Sequence, residues 1–197
     1  MGITDKMVWN SAYYRTIDYP KFTDLYWKLL LGRVRTGEAW MDSELCPECA
    51  IPQTAEHLFW DCPTAKAIWE EMVEIINIIT GVRIALPRNW GHLLAWGSYV
   101  QPKQGLDFER WRALFGEVLW SIWTLRCDWS FDEVEDFSRT RVMSRFLYKV
   151  QLRIQRTRLI GMHFGTKEDV AKVATTWGFD PYKGEDPQWL KDRMVQP

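Results

Sequence analysis

Residues 108–130 read FERWRALFGEVLWSIWTLRCDWS, and their apolar side chains recur in alternating steps of three and four residues. Residues three and four apart are neighbours on the surface of an α-helix, so this spacing gathers the apolar side chains on one face. The pattern therefore predicts a long helix that packs an aromatic-rich stripe into a core. The stripe consists of Phe108, Trp111, Phe115, Val118, Ile122, Leu125 and Trp129.

Helical spacing also dominates the rest of the chain, and no long alternating pattern indicates a β-strand. Asp24 is the expected cap of the first segment. Gly81, Gly161 and Gly178 are expected to end three later ones. The sequence thus predicts an all-α fold, with an irregular loop at residues 37–62 joined to a helical domain with long, aromatic-rich helices. The predicted segments are about 25–30, 63–80, 90–96, 132–160, 166–177 and 187–194.

A connection over residues 98–107, which contains Pro102 and Gly105, divides the chain into two regions. We expect residues 1–97 to form a helical region that carries the irregular loop, and residues 98–197 to form a second helical region packed against it. The 13 tryptophans favour a core with aromatic anchors, and an aromatic binding surface is the alternative for some of them.

The most specific pattern is a group of four residues that are typical metal ligands: Cys46, Cys49, His57 and Cys62. Two cysteines three positions apart can bind one ion from a tight turn, and the histidine and third cysteine complete a tetrahedron. Three thiolates and one imidazole select zinc over calcium or magnesium, and four protein ligands leave no position for a catalytic water. The spacing therefore predicts a structural zinc site. Three buried cysteines beside a packed histidine are the alternative.

At these residues the chain resembles the "zinc-binding in reverse transcriptase" domain, which follows the polymerase in many LINE-type (non-long-terminal-repeat) retrotransposon proteins. The shared pattern is Cys-Pro-x-Cys, a turn containing His-Leu-Phe, then Cys-Pro and a Trp. Thr54 and Glu56 depart from the usual order of that turn, and Cys127 stands where Asn is usual in a downstream Trp-x-x-Trp-x-x-Arg-Asn segment. The resemblance implies a module that helps to hold template RNA or target DNA. It is carried by 29–33, 46–49, 54–63, 68–69 and, more weakly, by Trp120, Trp123 and Arg126.

No catalytic constellation accompanies this pattern. The chain contains no Tyr-x-Asp-Asp polymerase motif, no glycine-rich phosphate loop, no Gly-x-Ser-x-Gly elbow and no His-Glu-x-x-His pair. We therefore expect a protein that is not an enzyme.

The charge distribution suggests where nucleic acid could bind. The net charge of −1 argues against a protein that coats nucleic acid, but residues 139–165 carry seven Lys/Arg and no acidic residue. Four of these cations step by four and line one helix face, so they are candidate phosphate contacts. A solvated helix face is the alternative. The four are Arg141, Arg145, Lys149 and Arg153, and Arg156 is a fifth candidate contact.

A protein-interaction module, adopted by a host or used by a pathogen, is the alternative function. Residues 1–81 carry seven Lys/Arg against twelve Asp/Glu, a balance of −5, and tryptophans often anchor protein interfaces. The N-terminal residues have no signal-peptide pattern, and no stretch approaches eighteen apolar residues. We therefore expect an intracellular protein, nuclear or cytoplasmic, without a membrane span.

Overall fold

The computed structural model describes residues 20–36, 45–96, 108–131, 137–164 and 185–194. Within them the chain is helical, as predicted, and it forms no strand beyond an isolated antiparallel bridge between Leu45 and Pro52. One π-helical turn, His57–Asp61, precedes the second helix. The predicted helix at 166–177 and the predicted connection at 98–107 lie outside the described residues. We number the α-helices α1 (Pro20–Leu30), α2 (Pro63–Thr80), α3 (Trp90–Trp96), α4 (Phe108–Ser130), α5 (Arg139–Phe164) and α6 (Gln188–Met194).

Helix α4 lies at the centre, and α1, α2 and α5 pack around it. The prediction of a buried aromatic stripe is confirmed at its described positions from Trp111 to Leu125, while Trp129 is only partly buried. Residues outside the stripe, such as Leu114 and Leu119, are buried as well. The helix is therefore enclosed on most sides, which the stripe alone did not predict.

Aromatic contacts fix how α1 and α2 sit on α4. The Phe115 ring lies 5.1 Å from the Trp69 ring of α2, and the Tyr26 ring of α1 meets it edge-on at 5.8 Å. The Tyr26 hydroxyl donates a hydrogen bond to the Leu94 carbonyl of α3 at 2.5 Å. Buried side chains from both predicted regions thus belong to one cluster.

Three predicted helix boundaries were wrong, and local chemistry explains each of them. Helix α1 begins at Pro20 rather than after Asp24, because proline suits the first helical turn. Helix α5 begins after Ser138, whose Oγ accepts a hydrogen bond from the Arg141 N–H at 3.4 Å, rather than near residue 132. It also continues through Gly161 to Phe164, since an interior glycine costs a helix only about 1 kcal/mol relative to alanine.

The end of α2 agrees with the sequence. Gly81 adopts a left-handed conformation with φ of 66°, and its N–H donates to the Asn77 carbonyl. Among the described residues no helix is long and apolar enough to cross a membrane.

Candidate metal centre

The first two candidate ligands lie in a tight turn at the start of what we call the metal loop, residues 45–62. The Ala50 N–H donates to the Cys46 carbonyl at 2.8 Å, and the Cys46 N–H donates to the Ile51 carbonyl at 2.8 Å. Ala50 takes a φ of 53°, a conformation that costs a residue with a Cβ about 1–2 kcal/mol. The reversal brings the Cys46 and Cys49 thiols to the same side of the turn, as the Cys-x-x-Cys spacing predicts.

The other two ligands flank the π-helical turn. The Cys62 N–H donates to the His57 carbonyl at 2.8 Å, a bond that spans five residues and defines this wider turn. In an α-helix, side chains five residues apart point about 140° away from each other. The π-helical turn instead gathers His57 and Cys62 on one side. The Thr54 hydroxyl supports its start by accepting a hydrogen bond from the His57 N–H at 3.0 Å.

Together the two turns bring four ligand atoms into one cluster. Three cysteine Sγ atoms and one imidazole nitrogen, from Cys46, Cys49, His57 and Cys62, lie within 4.8 Å of one another. The Cys46 and Cys62 Sγ atoms are 4.0 Å apart, and Cys49 Sγ lies 3.1 Å from His57 Nε2. Bond lengths of about 2.3 Å to sulfur and 2.0 Å to nitrogen place ligands about 3.5–3.8 Å apart in a tetrahedral zinc site. The Cys46–Cys62 and Cys49–His57 separations agree with these values to within about half an ångström, and no two of the four atoms are more than 4.8 Å apart.

Crowding of the thiols changes their acidity. A hydrogen bond from the Cys62 thiol is the main reason that the pKa of Cys46 falls to about 4. The same bond raises the pKa of Cys62, and burial is the first cause that raises the pKa of Cys49. Cys46 is therefore the thiolate of the cluster, whereas the Cys49 and Cys62 thiols keep their protons. A divalent cation offsets the repulsion between neighbouring thiolates and allows all three sulfurs to be deprotonated.

The centre is shielded from water and is supported from α4. Cys46, His57 and Cys62 are buried, and Cys49 is the partly exposed ligand. Behind the loop, the Arg126 Nε of α4 donates to the buried Gln53 Oε1 at 2.5 Å. Gln53 was not predicted from the sequence, because a lone glutamine in a loop carries no pattern.

The downstream Trp-x-x-Trp-x-x-Arg segment is close to the metal loop in space. The Trp123 ring of α4 stacks on Phe59 of the π-helical turn, with ring centres 6.3 Å apart and an interplanar angle of 21°. The Trp69 Nε1–H of α2 donates to the Phe59 carbonyl at 2.7 Å. Phe59 thus joins the turn that carries His57 to both α2 and α4.

The cations predicted to bind nucleic acid lie on α5, and they differ in exposure. Arg141 and Arg156 are exposed. Arg145 forms an ion pair with Asp128 of α4, and Lys149 is partly buried. The face that carries the middle of the predicted strip is therefore turned toward α4 rather than fully toward solvent.

Arg153 lies in the interior, where it is 7% exposed. Its Nε and Nη2 donate to Glu117 Oε1 at 3.2 and 3.1 Å, and Glu117 is 3% exposed. Arg153, predicted to be a phosphate contact on one face with Arg141 and Lys149, is therefore buried against Glu117 instead. The physical reason is helix geometry, since positions four apart drift by about 40° per step and three steps carry the line from the surface into the core.

Comparison of the chain with protein-family models, with curated proteins and with solved structures finds no match. The metal loop itself provides one imidazole and three thiols, mostly buried and close enough together to bind one ion.

Proposed function

We propose that this protein is a non-catalytic module that binds one structural Zn²⁺ ion through Cys46, Cys49, His57 and Cys62. The observation that carries the proposal is the convergence of these four ligand atoms within 4.8 Å. Sulfur and imidazole ligands select zinc among the common divalent cations of a reducing compartment. Four protein ligands complete a tetrahedron, so the ion would have no open position at which to activate water.

The ion would connect the two turns of the metal loop to each other. Cys46 and Cys49 belong to the first turn of the loop, whereas His57 and Cys62 flank the π-helical turn that leads into α2. Structural zinc contributes on the order of 10 kcal/mol in small domains, a value comparable to the whole stability of many folds. Zinc binding would thereby fix the loop against α2 and, through Phe59, against α4.

We further propose that the module binds RNA or DNA. The similarity of the metal-loop motif to the reverse-transcriptase-associated domain of retrotransposon proteins supports this role, as do Arg141 and Arg156, which are exposed on α5.

A protein-interaction function, without nucleic-acid binding, is the second candidate. Tyr148, Leu152 and Leu159 are 50%, 40% and 54% exposed, and their spacing of four and seven residues places them along one face of α5. Exposed apolar side chains in a row are typical of surfaces that contact other proteins.

Fluorescence anisotropy of labelled RNA and DNA with the zinc-loaded protein separates the two functions. Nucleic-acid binding should weaken steeply as salt rises, because each phosphate contact releases counterions. Wild-type protein that shows no affinity at about 50 mM salt would refute the nucleic-acid role and favour the protein-interaction role.

A further inference from the structure

A cleft of about 1050 Å³ opens between α1, the segment 31–36 that follows it, and α4; we call it the α1–α4 cleft. Its volume is at the upper limit of the roughly 300–1,000 Å³ that pockets for drug-sized ligands occupy. It is not an enclosed cavity but is partly open to solvent. These dimensions suit a segment of an extended chain better than one enclosed small molecule.

Cations surround this cleft. Lys21, Lys28, Arg33 and Arg35 line it and are exposed, whereas Asp24 is the one acidic residue among the described residues of its lining. Asp24 pairs with Lys28 at 2.6 Å, so the surplus charge lies mainly on the other three cations. The cleft is strongly positive although residues 1–81 are acidic as a whole. A polyanion is the charge-complementary ligand.

Three tryptophans, Trp27, Trp120 and Trp123, line the same cleft and are partly buried. The Trp120 ring packs on Phe22 with ring centres 6.0 Å apart. The Trp123 ring is supported from behind by Phe59, as described above. Indole rings held by packing offer preorganised surfaces on which planar groups can stack.

We propose that the α1–α4 cleft binds a single-stranded nucleic acid, with its bases stacked on the tryptophans and its phosphates on the four cations. Cations that follow the backbone and aromatic rings that stack on bases are the two components of single-strand binding sites. A duplex fits this chemistry poorly, because its bases are already stacked on each other. The inference depends on the proposed nucleic-acid function and names its site and ligand class. It places the site on α1 and α4 rather than on α5.

The cleft adjoins the metal loop, which gives the zinc a role in binding. Trp123 lies between the cleft and Phe59, and Phe59 follows the ligand His57 by two residues. Loss of the ion would free the π-helical turn and remove the support behind Trp123. The zinc would then stabilise the shape of the binding surface without contacting the nucleic acid.

The test measures anisotropy of a labelled, unstructured RNA of about 12 nucleotides, and of DNA of the same sequence, with the zinc-loaded full chain. For three or four contacts to a single strand, log K should fall with log salt with a slope of about −2 to −3. The Arg33→Glu/Arg35→Glu variant should bind at least about 50-fold more weakly at about 50 mM salt, since each lost contact costs about tenfold there. Both side chains are exposed, so this variant should fold normally.

Two further variants separate site-specific binding from general charge. Arg83→Glu/Arg88→Glu makes the same change of charge at exposed positions outside the cleft and should keep affinity within about threefold. Trp120→Ala should weaken binding at least about fivefold, and Trp120→Phe, which retains a stacking ring, should restore most of it.

The remaining outcomes would contradict different parts of the proposal. If the wild type and Arg33→Glu/Arg35→Glu bound with equal affinity, the cleft would not be the binding site, although nucleic-acid binding itself would stand. Loss of affinity in Arg141→Glu/Arg156→Glu instead would lead to the same conclusion. A preference for duplex, or unchanged affinity in a folded Trp120→Ala variant, would overturn the stacking of a single strand. Absence of binding by the zinc-loaded wild type would refute the nucleic-acid function itself.

Discussion

The buried ion pair between Glu117 of α4 and Arg153 of α5 allows a quantitative test of how these helices are held together. Replacing Glu117 with Leu deprives a guanidinium that is 7% exposed of its carboxylate. Arginine stays protonated at any accessible pH, so this variant cannot relieve the cost by losing a proton. Breaking a buried pair in this way typically costs about 3–5 kcal/mol of folding free energy.

Replacing the other partner of the pair, as in Arg153→Met, should make stability depend on pH in a way that Glu117→Leu does not. Burial is the main cause that already raises the pKa of Glu117, while Arg153 and then Lys149 act to lower it. Without Arg153 that pKa should rise further, and the buried carboxyl can take up a proton. A carboxyl whose folded-state pKa exceeds its unfolded value gives stability that declines as pH rises between those two values. The free energy of unfolding of Arg153→Met should therefore rise by up to about 1.4 kcal/mol when the pH is lowered from 7 to 6.

Urea unfolding of zinc-loaded protein at pH 7 and pH 6 measures both effects. Glu117→Leu serves as the matched control, because it lacks the titrating group but shares every other pH effect of the protein. The double variant Glu117→Leu/Arg153→Met should recover most of the loss, since an apolar pair of similar volume often equals or exceeds a buried ion pair. The reasoning would be refuted if Arg153→Met and Glu117→Leu showed the same change between the two pH values.

Three other substitutions test the packing and the choice of ligands. Gly116→Ala should lower the free energy of unfolding by about 1–3 kcal/mol, because the added Cβ would lie 2.6 Å from a Phe22 ring carbon. Gly91→Ala should not be destabilising, since the nearest atom to its Cβ would be 3.6 Å away. Equal denaturant midpoints for the two variants would contradict this packing. Trp111→Ala should cost about 3–5 kcal/mol in urea unfolding, because this side chain is fully buried, and a cost below about 1 kcal/mol would place it outside the core. Cys127→Ser should leave zinc content unchanged, since Cys127 is not among the four clustered ligands, and loss of the metal would show that the ligand set is wrong.

Much of the fold follows from local sequence patterns. The aromatic stripe of α4 and the stop at Gly81 depend on spacing and on one special residue, so the sequence predicts both. The start of α5 does not follow in the same way, because acidic residues near 132 and the Ser138 side chain are both plausible caps. Only packing decides between such alternatives, here through the buried Phe137 just before the cap.

The members of the Cys/His cluster were predictable from the sequence, but the local geometry that brings them together was not. The Cys-x-x-Cys spacing fixes a tight turn, and the positions of His57 and Cys62 identify the other two ligands. The π-helical turn that aligns them has no signal of its own, although a spacing of five between ligands could have suggested it.

Contacts between residues far apart in the sequence could not be predicted, for a different reason. The sequence gives no sign that Arg153 meets a carboxylate 36 residues earlier, or that Lys21, Arg33 and Arg35 share a cleft with tryptophans of α4. The packing of α5 on α4 decides the first contact, and the position of α1 on α4 decides the second. Gly116 permits the position of α1 by leaving room for the Phe22 ring.

The most direct test of the central claim is elemental analysis of the purified protein and of Cys49→Ser, combined with thermal unfolding. Cys49 is the most exposed of the four ligands, so its replacement disturbs packing least and isolates the loss of the metal bond. The wild type should contain about one zinc ion per chain, and Cys49→Ser should lose most of the zinc and unfold at a lower temperature. Wild-type protein that is free of metal, and that unfolds at the same temperature as Cys49→Ser, would contradict a structural zinc centre.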